Sequence, residues 1–480
     1  MTGIDITVFV LYLTLCVIIG YWVGGKPTDT KSYFNSKGDI PWWAVSLSIV
    51  ATETSMLTII STPSIAYFGS LTFLQIVIGY IIGRTIVAFT ILPSYFKGEQ
   101  QTAYTFFTKR FGDNYRKLVS VIFLVTRLLA DGVRLFAAAI PIKLITGFSY
   151  PESILIIAIL TLAYTFYGGL KSVIWIDVLQ LGVYISAGFF ILYWLFPDLT
   201  PEMTTRMADE NKFQLINLPE SLAAAWKGPY NLIACLIGGA FLTMASHGTD
   251  HIIVQRLLAC HGLPEARKAL IWSGFIVLVQ FALFLTVGLF LFAHYGGQPL
   301  AGLGLSKPDE IFPRFVIDVL PVGVTGFIIA GLFAAAMSTL SSSLAALSSS
   351  TMFDLFPKLA QRPDSMKFSR IFMVIWTIIF IGFGVSFTTT DNPIIEIGLG
   401  IAGFTYGGLL GAFFVGRFTN WSTQAATVGI LGCVSVMFIL IMFGGDLRPW
   451  WAWYTVTGVT LFVLFGGSYH LGVSLLGKKS

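Results

Sequence analysis

The chain has 480 residues, of which 55% are hydrophobic and only 11% charged, and its formal net charge is +5. Soluble domains carry about 25% charged residues. The composition therefore excludes a soluble enzyme, the small positive charge is no nucleic-acid footprint, and the chain reads as one solvated by lipid.

Stretches of about 20 apolar residues are long enough to cross the hydrocarbon as helices. About 13 are predicted, near residues 4–24, 41–68, 71–96, 118–146, 150–168, 174–196, 230–254, 269–295, 313–353, 371–388, 393–416, 423–443 and 450–476. This makes the chain an all-α polytopic membrane protein. Residues 4–24 have neither a basic leader nor a small-x-small cleavage site, so they are expected to remain as the first helix rather than act as a signal peptide. The stretch 313–353 exceeds one straight crossing and is expected to tilt or to run on into the cytoplasm. With the N-terminus outside, alternate loops place 19 of the 29 basic residues inside, Lys26, Lys37, Arg256, Lys478 and Lys479 among them, and five outside. That bias follows the positive-inside rule. It predicts a multi-pass plasma-membrane protein, in a bacterium the inner membrane, with an external N-terminus and a cytoplasmic C-terminus. The longest connection, about 197–229, is then external, and no stretch outside the spans is long enough for a second domain.

Charged side chains inside spans are costly and mark a pathway or an internal pair. In chain order they are Glu53, Arg84, Arg127, Asp131, Arg134, Asp177 and Asp250. Glu53 lies in ATETSMLT (51–58), where Thr and Ser interrupt the second span. A helix broken there exposes carbonyls, and Ala51 and Thr54 are placed to offer them to a cation. Arg127, Asp131 and Arg134 follow one another at i+4 and i+3, so one helix neutralises part of its own charge. A helix-cementing ion pair and a substrate contact both stay open there. Asp177, alone in VIWIDVLQ (173–180), reads as a cation ligand, a proton acceptor or an interfacial residue. His247 and His251 flank Asp250 at helical spacing but lack the glutamate and further ligand of a zinc site, so polar lining of a broken helix is the better reading.

Between Gly331 and Ser350 the chain reads GLFAAAMSTLSSSLAALSSS, with eight hydroxyls in a spanning segment. Ala335, Ser338, Thr339 and Ser342 share one helical face. Such a face offers hard, uncharged oxygens to a weakly held alkali cation; close packing of small residues is the competing explanation. Cys16, Cys235, Cys260 and Cys433 show no CxxC spacing, and neither a phosphate-binding loop nor a GxSxG elbow is present. No enzyme activity, cofactor, nucleic-acid contact or obligate protein partner is expected.

Four stretches in order, PWWAVSLSIVATETS (41–55), GGLKSVIWIDVLQ (168–180), TDHIIVQRLLA (249–259) and GLFAAAMSTLSSS (331–343), resemble the sodium/solute symporter family over roughly residues 5–420. TDHIIVQR is most similar to its sugar-transporting branch, the sodium/glucose cotransporters. The resemblance implies a leucine-transporter-like fold in one transporter domain, 1–480. A leading helix and loop (1–40) precede two inverted five-helix repeats (41–196 and 230–416), which flank the external loop 197–229; two trailing helices (417–480) follow. It implies a principal sodium site at Ala51, Thr54, Ala335, Ser338 and Thr339, the last standing where serine is commoner and keeping the hydroxyl. A second sodium site is implied at Asp177, Ser338, Ser341 and Ser342. Substrate is expected beside the broken helices, with Glu53, Thr58, Thr243 and Ser246 where sugar transporters carry amides and aromatics. Arg84 and Arg134 suit a carboxylate, to which guanidinium presents a planar fork; Asp131, His247 and Asp250 complete the candidate substrate set.

The expected function is sodium-coupled secondary active uptake of a small organic solute (a sugar, sugar acid, carboxylate or amino acid) by alternating access. Na+ is the coupling ion, and solute, sodium and the bilayer are the partners. The alternatives are a proton-coupled symporter of the same fold, with Asp177 or Glu53 carrying the proton, and a passive facilitator or channel, whose pore rings and filter repeats the chain lacks.

Overall fold

In lipid a backbone has no hydrogen-bonding partner but itself, so long apolar stretches become helices. The computed structural model describes residues 2–25, 29–35, 39–97, 102–305, 307–386 and 394–477. Among these, the only non-helical pairing is an isolated bridge between Ile40 and Cys260. Lys26, Lys37, Lys478 and Lys479, which entered the charge count, lie outside the described residues.

The main helices are α1 (Gly3–Gly24), α2 (Trp42–Glu53), α3 (Met56–Phe68), α4 (Leu74–Thr90), α5 (Asp113–Thr146), α6 (Tyr150–Leu195) and α7 (Gly239–Gly248). They continue with α8 (His251–Leu257), α9 (Leu263–His294), α10 (Val324–Ser350), α11 (Ser365–Ser386), α12 (Ile394–Phe418), α13 (Thr423–Phe443) and α14 (Tyr454–Gly477). Among the described residues, eight helices are long and apolar enough to cross a membrane, and nine when α2 and α3 count as one bent span. The 13 predicted stretches are divided differently in part because α6 alone holds two of them. Its 46 residues are about 69 Å of helix at 1.5 Å per residue, over twice the hydrocarbon thickness of about 30 Å. The helix turns at Gly169, with φ 58° and ψ −150°. A Cβ there would stand 2.3 Å from the Tyr33 carbonyl oxygen, so only glycine fits. Helix α5 carries Arg127, Asp131 and Arg134, which lower its hydropathy below that of its neighbours.

The long stretch 313–353 is not one continuous helix: a helix Ile311–Asp318 ends before the Pro321–Gly323 turn, and α10 starts afresh at Val324. The restart is capped from far away in sequence. Asp5 of α1 accepts the N–H groups of Gly323 (2.7 Å) and Gly326 (3.0 Å), placing a carboxylate at the positive end of α10.

Helix α10 is the central element. It packs on α1, α2, α5, α6 and α11, and nearly every residue from Thr325 to Ser350 is buried. Helix α9 crosses α2, α3 and α4, and at Gly288 it approaches the Pro63 carbonyl so closely that a Cβ would meet it at 2.1 Å. Helices α12, α13 and α14 form a trailing layer against α5. The connection 197–229 docks through Lys212, whose ammonium donates to the Tyr67 carbonyl (2.8 Å) and lies 4.4 Å from the Phe292 ring centre. Burial draws the Lys212 pKa below the ordinary lysine value.

Candidate functional site at the broken helices

The second span breaks where the sequence indicates. Thr54 and Ser55 are extended, and α2 and α3 meet at 72°. The Ser55 N–H turns to the Thr58 hydroxyl (3.4 Å) instead of back to Ala51, so the Ala51 carbonyl loses its helical donor. Ser55 in turn caps α3 by accepting from the Thr58 N–H (3.3 Å). The Thr54 hydroxyl donates to the Val50 carbonyl (2.7 Å) and stands 2.8 Å from the Gln280 amide nitrogen, tying the break to α9.

Helix α10 passes this break. Thr339 donates to the Ala335 carbonyl (3.1 Å), and Ser338 donates to Asp177 Oδ1 (2.7 Å). A hydroxyl that donates its proton keeps its lone pairs. Ser338 and Thr339 therefore still have oxygens to offer a cation, from the same helix face as Ala335.

The Asp177 cluster differs from the expectation in one important respect. Asp177 Oδ2 accepts from Ser48 (2.6 Å), from Thr52 (3.4 Å) and from Arg256 (3.0 Å), and both charged side chains are fully buried. The placement of Arg256 in an inside loop is thus overturned. It lies on α8 and directs its donors to Ser48 (2.9 Å), the Ile252 carbonyl (2.9 Å), Asp177 and Ser342 (2.5 Å). A carboxylate in a low dielectric needs a counter-charge, and here guanidinium supplies it at the group expected to hold a second sodium ion. Ser341 and Ser342 both donate to the Ser338 carbonyl, at 3.0 and 2.6 Å.

The expected substrate residues separate into two groups. Arg84 is fully buried; one of its nitrogens contacts both Glu53 oxygens (2.6 and 2.8 Å) and another donates to Ser273 (2.6 Å). His247 Nε2 is 3.4 Å from Glu53, while its Nδ1 pairs with Ser246 (2.8 Å). Glu53, Arg84, Ser246 and His247 thus form one contact network, in which Arg84 Nε and His247 Nε2 keep no hydrogen-bond partner of their own, and Thr243 is also buried in α7. Asp250 caps α8 by accepting from Ile252 (2.9 Å), and it also binds Arg127 and the Tyr406 hydroxyl (3.1 Å). His251 turns away from this group, with its ring nitrogens at Ala103 and Ser349.

Of the expected residues, Asp131, Arg134 and Thr339 line a common narrow cleft, together with Ser55, Met56, Leu57 and Ala336. Arg134 is about one quarter exposed there and, among the described residues, makes one hydrogen bond, to Asp131 (3.1 Å). Ser48, Thr52, Gln280, Ser343 and Tyr406 escaped the sequence reading. Ser48 and Thr52 had a legible signal: hydroxyls at i and i+4 within a spanning helix, one turn before the break. Gln280 and Tyr406 are lone polar residues in their helices and Ser343 ends a three-serine run, and the partners of all three lie over 120 positions away.

Known proteins carry the same architecture. The model of the sodium:solute symporter family matches residues 33–419. The chain is 26% identical to the sodium/sialic acid symporter of Proteus mirabilis, over 95% of this chain and 92% of the relative. It is also 26% identical to the sodium/glucose cotransporter of Vibrio parahaemolyticus, over 92% and 85%. A solved Na+-coupled sialic acid symporter in a substrate-bound, outward-open state superposes with a TM-score of 0.84 over 97% of each chain at 24% identity, a likeness of fold. The chain therefore belongs to the sodium:solute symporter family, as a membrane-spanning, sodium-coupled carrier of a small solute.

Proposed function

We propose that the solute is a small organic anion bearing a carboxylate, of the sugar-acid class, bound in the cavity between α3, α5 and α10. The observation that carries this reading is Arg134: a guanidinium at the cavity wall with one internal bond and no other partner among the described residues. Guanidinium recognises carboxylate through paired, charge-assisted hydrogen bonds. The first residues of α3, Ser55, Met56 and Leu57, line the same cavity and bring the positive end of a helix to it. The sialic acid symporter relative transports a molecule of this class. A neutral sugar, as in the glucose cotransporter relative, would leave Arg134 without a ligand partner.

The sodium ion is assigned to Ala51, Thr54, Ala335, Ser338 and Thr339, across the α2–α10 contact. Bound there, it joins the broken helix to the hydroxyl face of α10. Thr339 lines the carboxylate cavity as well, so the cation and the anion neutralise each other at short range. At about 100 mV each inward charge contributes roughly 2.3 kcal/mol to accumulation. In this reading the two repeats run over 41–196 and 230–416, and their first helices are the broken pairs α2–α3 and α7–α8. The N-terminus faces outside and the C-terminus the cytoplasm.

The test is thermal stabilisation of the purified protein by N-acetylneuraminate, lactate, glucose and proline, in sodium chloride and in choline chloride. Stabilisation by a carboxylate only in sodium is expected. Stabilisation by glucose and by neither acid would overturn the carboxylate assignment.

A further inference from the structure

The cavity arginine belongs to a chain of four charges. Arg134 contacts Asp131, Asp131 contacts Arg127 (3.4 Å), and Arg127 binds Asp250 at the N-terminus of α8. The signs alternate and sum to zero, and the Asp131–Arg134 end reaches the cavity. Asp131 also leaves its own helix: its Oδ2 accepts from Ser343 of α10 at 2.5 Å. Ser343 is one helical turn beyond Thr339, on the helix that carries three of the sodium-site residues. Among the described residues, the Asp131 carboxylate thus links the arginine of the cavity, the second broken helix pair through Arg127, and the helix of the assigned sodium site.

We propose that Asp131 is the positioning residue that couples solute to sodium, aiming Arg134 into the cavity while holding α10 through Ser343. Its carboxylate and the solute carboxylate compete for the same guanidinium. When the solute takes Arg134, Asp131 is left to Ser343 and Arg127, which strengthens the α5–α10 contact beside the sodium site. Sodium binding, by ordering α10, in turn holds Asp131 in place for Arg134. The two couplings are one free energy read from two sides. The inference rests on the carboxylate reading for its choice of ligand, while the Asp131–Ser343 link is independent of it.

The experiment measures the Kd of N-acetylneuraminate for purified protein in sodium and in choline chloride, for wild type, S343A, D131N, D131E and D131N/S343A. The ratio of the two Kd values is the coupling factor, which for linked sites is about 5–150. S343A is expected to lower that factor at least about threefold with little change in the sodium-free Kd, because it leaves every charge in place. D131N should bring the factor close to one, D131E should restore part of it, and the double variant should be no worse than D131N. An unchanged factor in S343A and D131N, or equal weakening of both Kd values, would overturn the proposal, since simple structural damage gives the latter. If wild type binds glucose and no N-acetylneuraminate, the carboxylate reading fails. The same series run with glucose then decides Asp131, an unchanged factor again counting against it. S343A keeps the test open if the Asp131 variants do not fold.

Discussion

Two aspartate–arginine pairs lie on either side of α10, and they are built for opposite ends. Asp177–Arg256 is sealed: both side chains are fully buried, and Ser48, Ser338, Ser342 and a backbone carbonyl take up the remaining polar groups. Asp131–Arg134 has a similar separation, 3.1 Å against 3.0 Å, yet its arginine is a quarter exposed and held by one bond among the described residues. A satisfied buried pair resists change, because removing either member strands a charge in low dielectric. A pair with an under-used guanidinium at a cavity can exchange its internal anion for an external one. The difference lies in the neighbours, since the residue types are the same.

Breaking the sealed pair should have the largest effect. Arg256→Ala is expected to lower stability by about 3–5 kcal/mol, read by thermal and chemical unfolding of the purified protein, with the joint D177N/R256Q change costing less. Recovery of R256A by high sodium, and not by choline, would instead make Asp177 a second sodium ligand once its guanidinium is gone. Next in size, S338A/T339A should abolish sodium stimulation of uptake in proteoliposomes while leaving a folded protein. Persistent stimulation would remove these hydroxyls from the sodium site.

The open pair should respond in ligand affinity rather than in stability. Arg134→Gln removes charge-assisted bonds worth about 1.5–3 kcal/mol, so N-acetylneuraminate binding should weaken roughly 10–100-fold, with a much smaller change in sodium affinity. Arg84→Gln should do the reverse, lowering the melting temperature by stranding Glu53 and sparing the Kd of the folded fraction. If both arginines behave alike, the contrast between a buried, carboxylate-paired guanidinium and one open to the cavity is wrong. The smallest effect is expected at the break itself. Ser55→Ala loses an N-cap worth about 1 kcal/mol, visible as a modest fall in unfolding midpoint.

Much of the fold was legible because lipid leaves few choices. Apolar length, the polar interruption at 51–58 and the hydroxyl face of 335–342 each have a one-dimensional signature. The Asp131–Arg134 contact was legible for the same reason, being three residues apart on one helix. The fate of Glu53, Arg84, His247 and Asp250 was not. Each carried the same mark in the sequence, a charge or polar group inside a span, and that mark does not tell a closed network from an open one. Arg256 was misread because a basic residue near a helix end looks like a loop residue unless its partner, 79 positions earlier, is known.

The sequence alone determined that this is a polytopic helical protein, where its second span breaks, and which helix face presents hydroxyls. These are consequences of hydropathy, local backbone preference and helical periodicity, all of which act over a few residues. Tertiary structure alone decided which arginine faces the cavity, which carboxylate already has a counter-charge, and that Ser343 joins α10 to Asp131. Those outcomes depend on contacts between residues some 30 to more than 200 positions apart. There the cost of burying a charge is met by whichever partner the packing brings near.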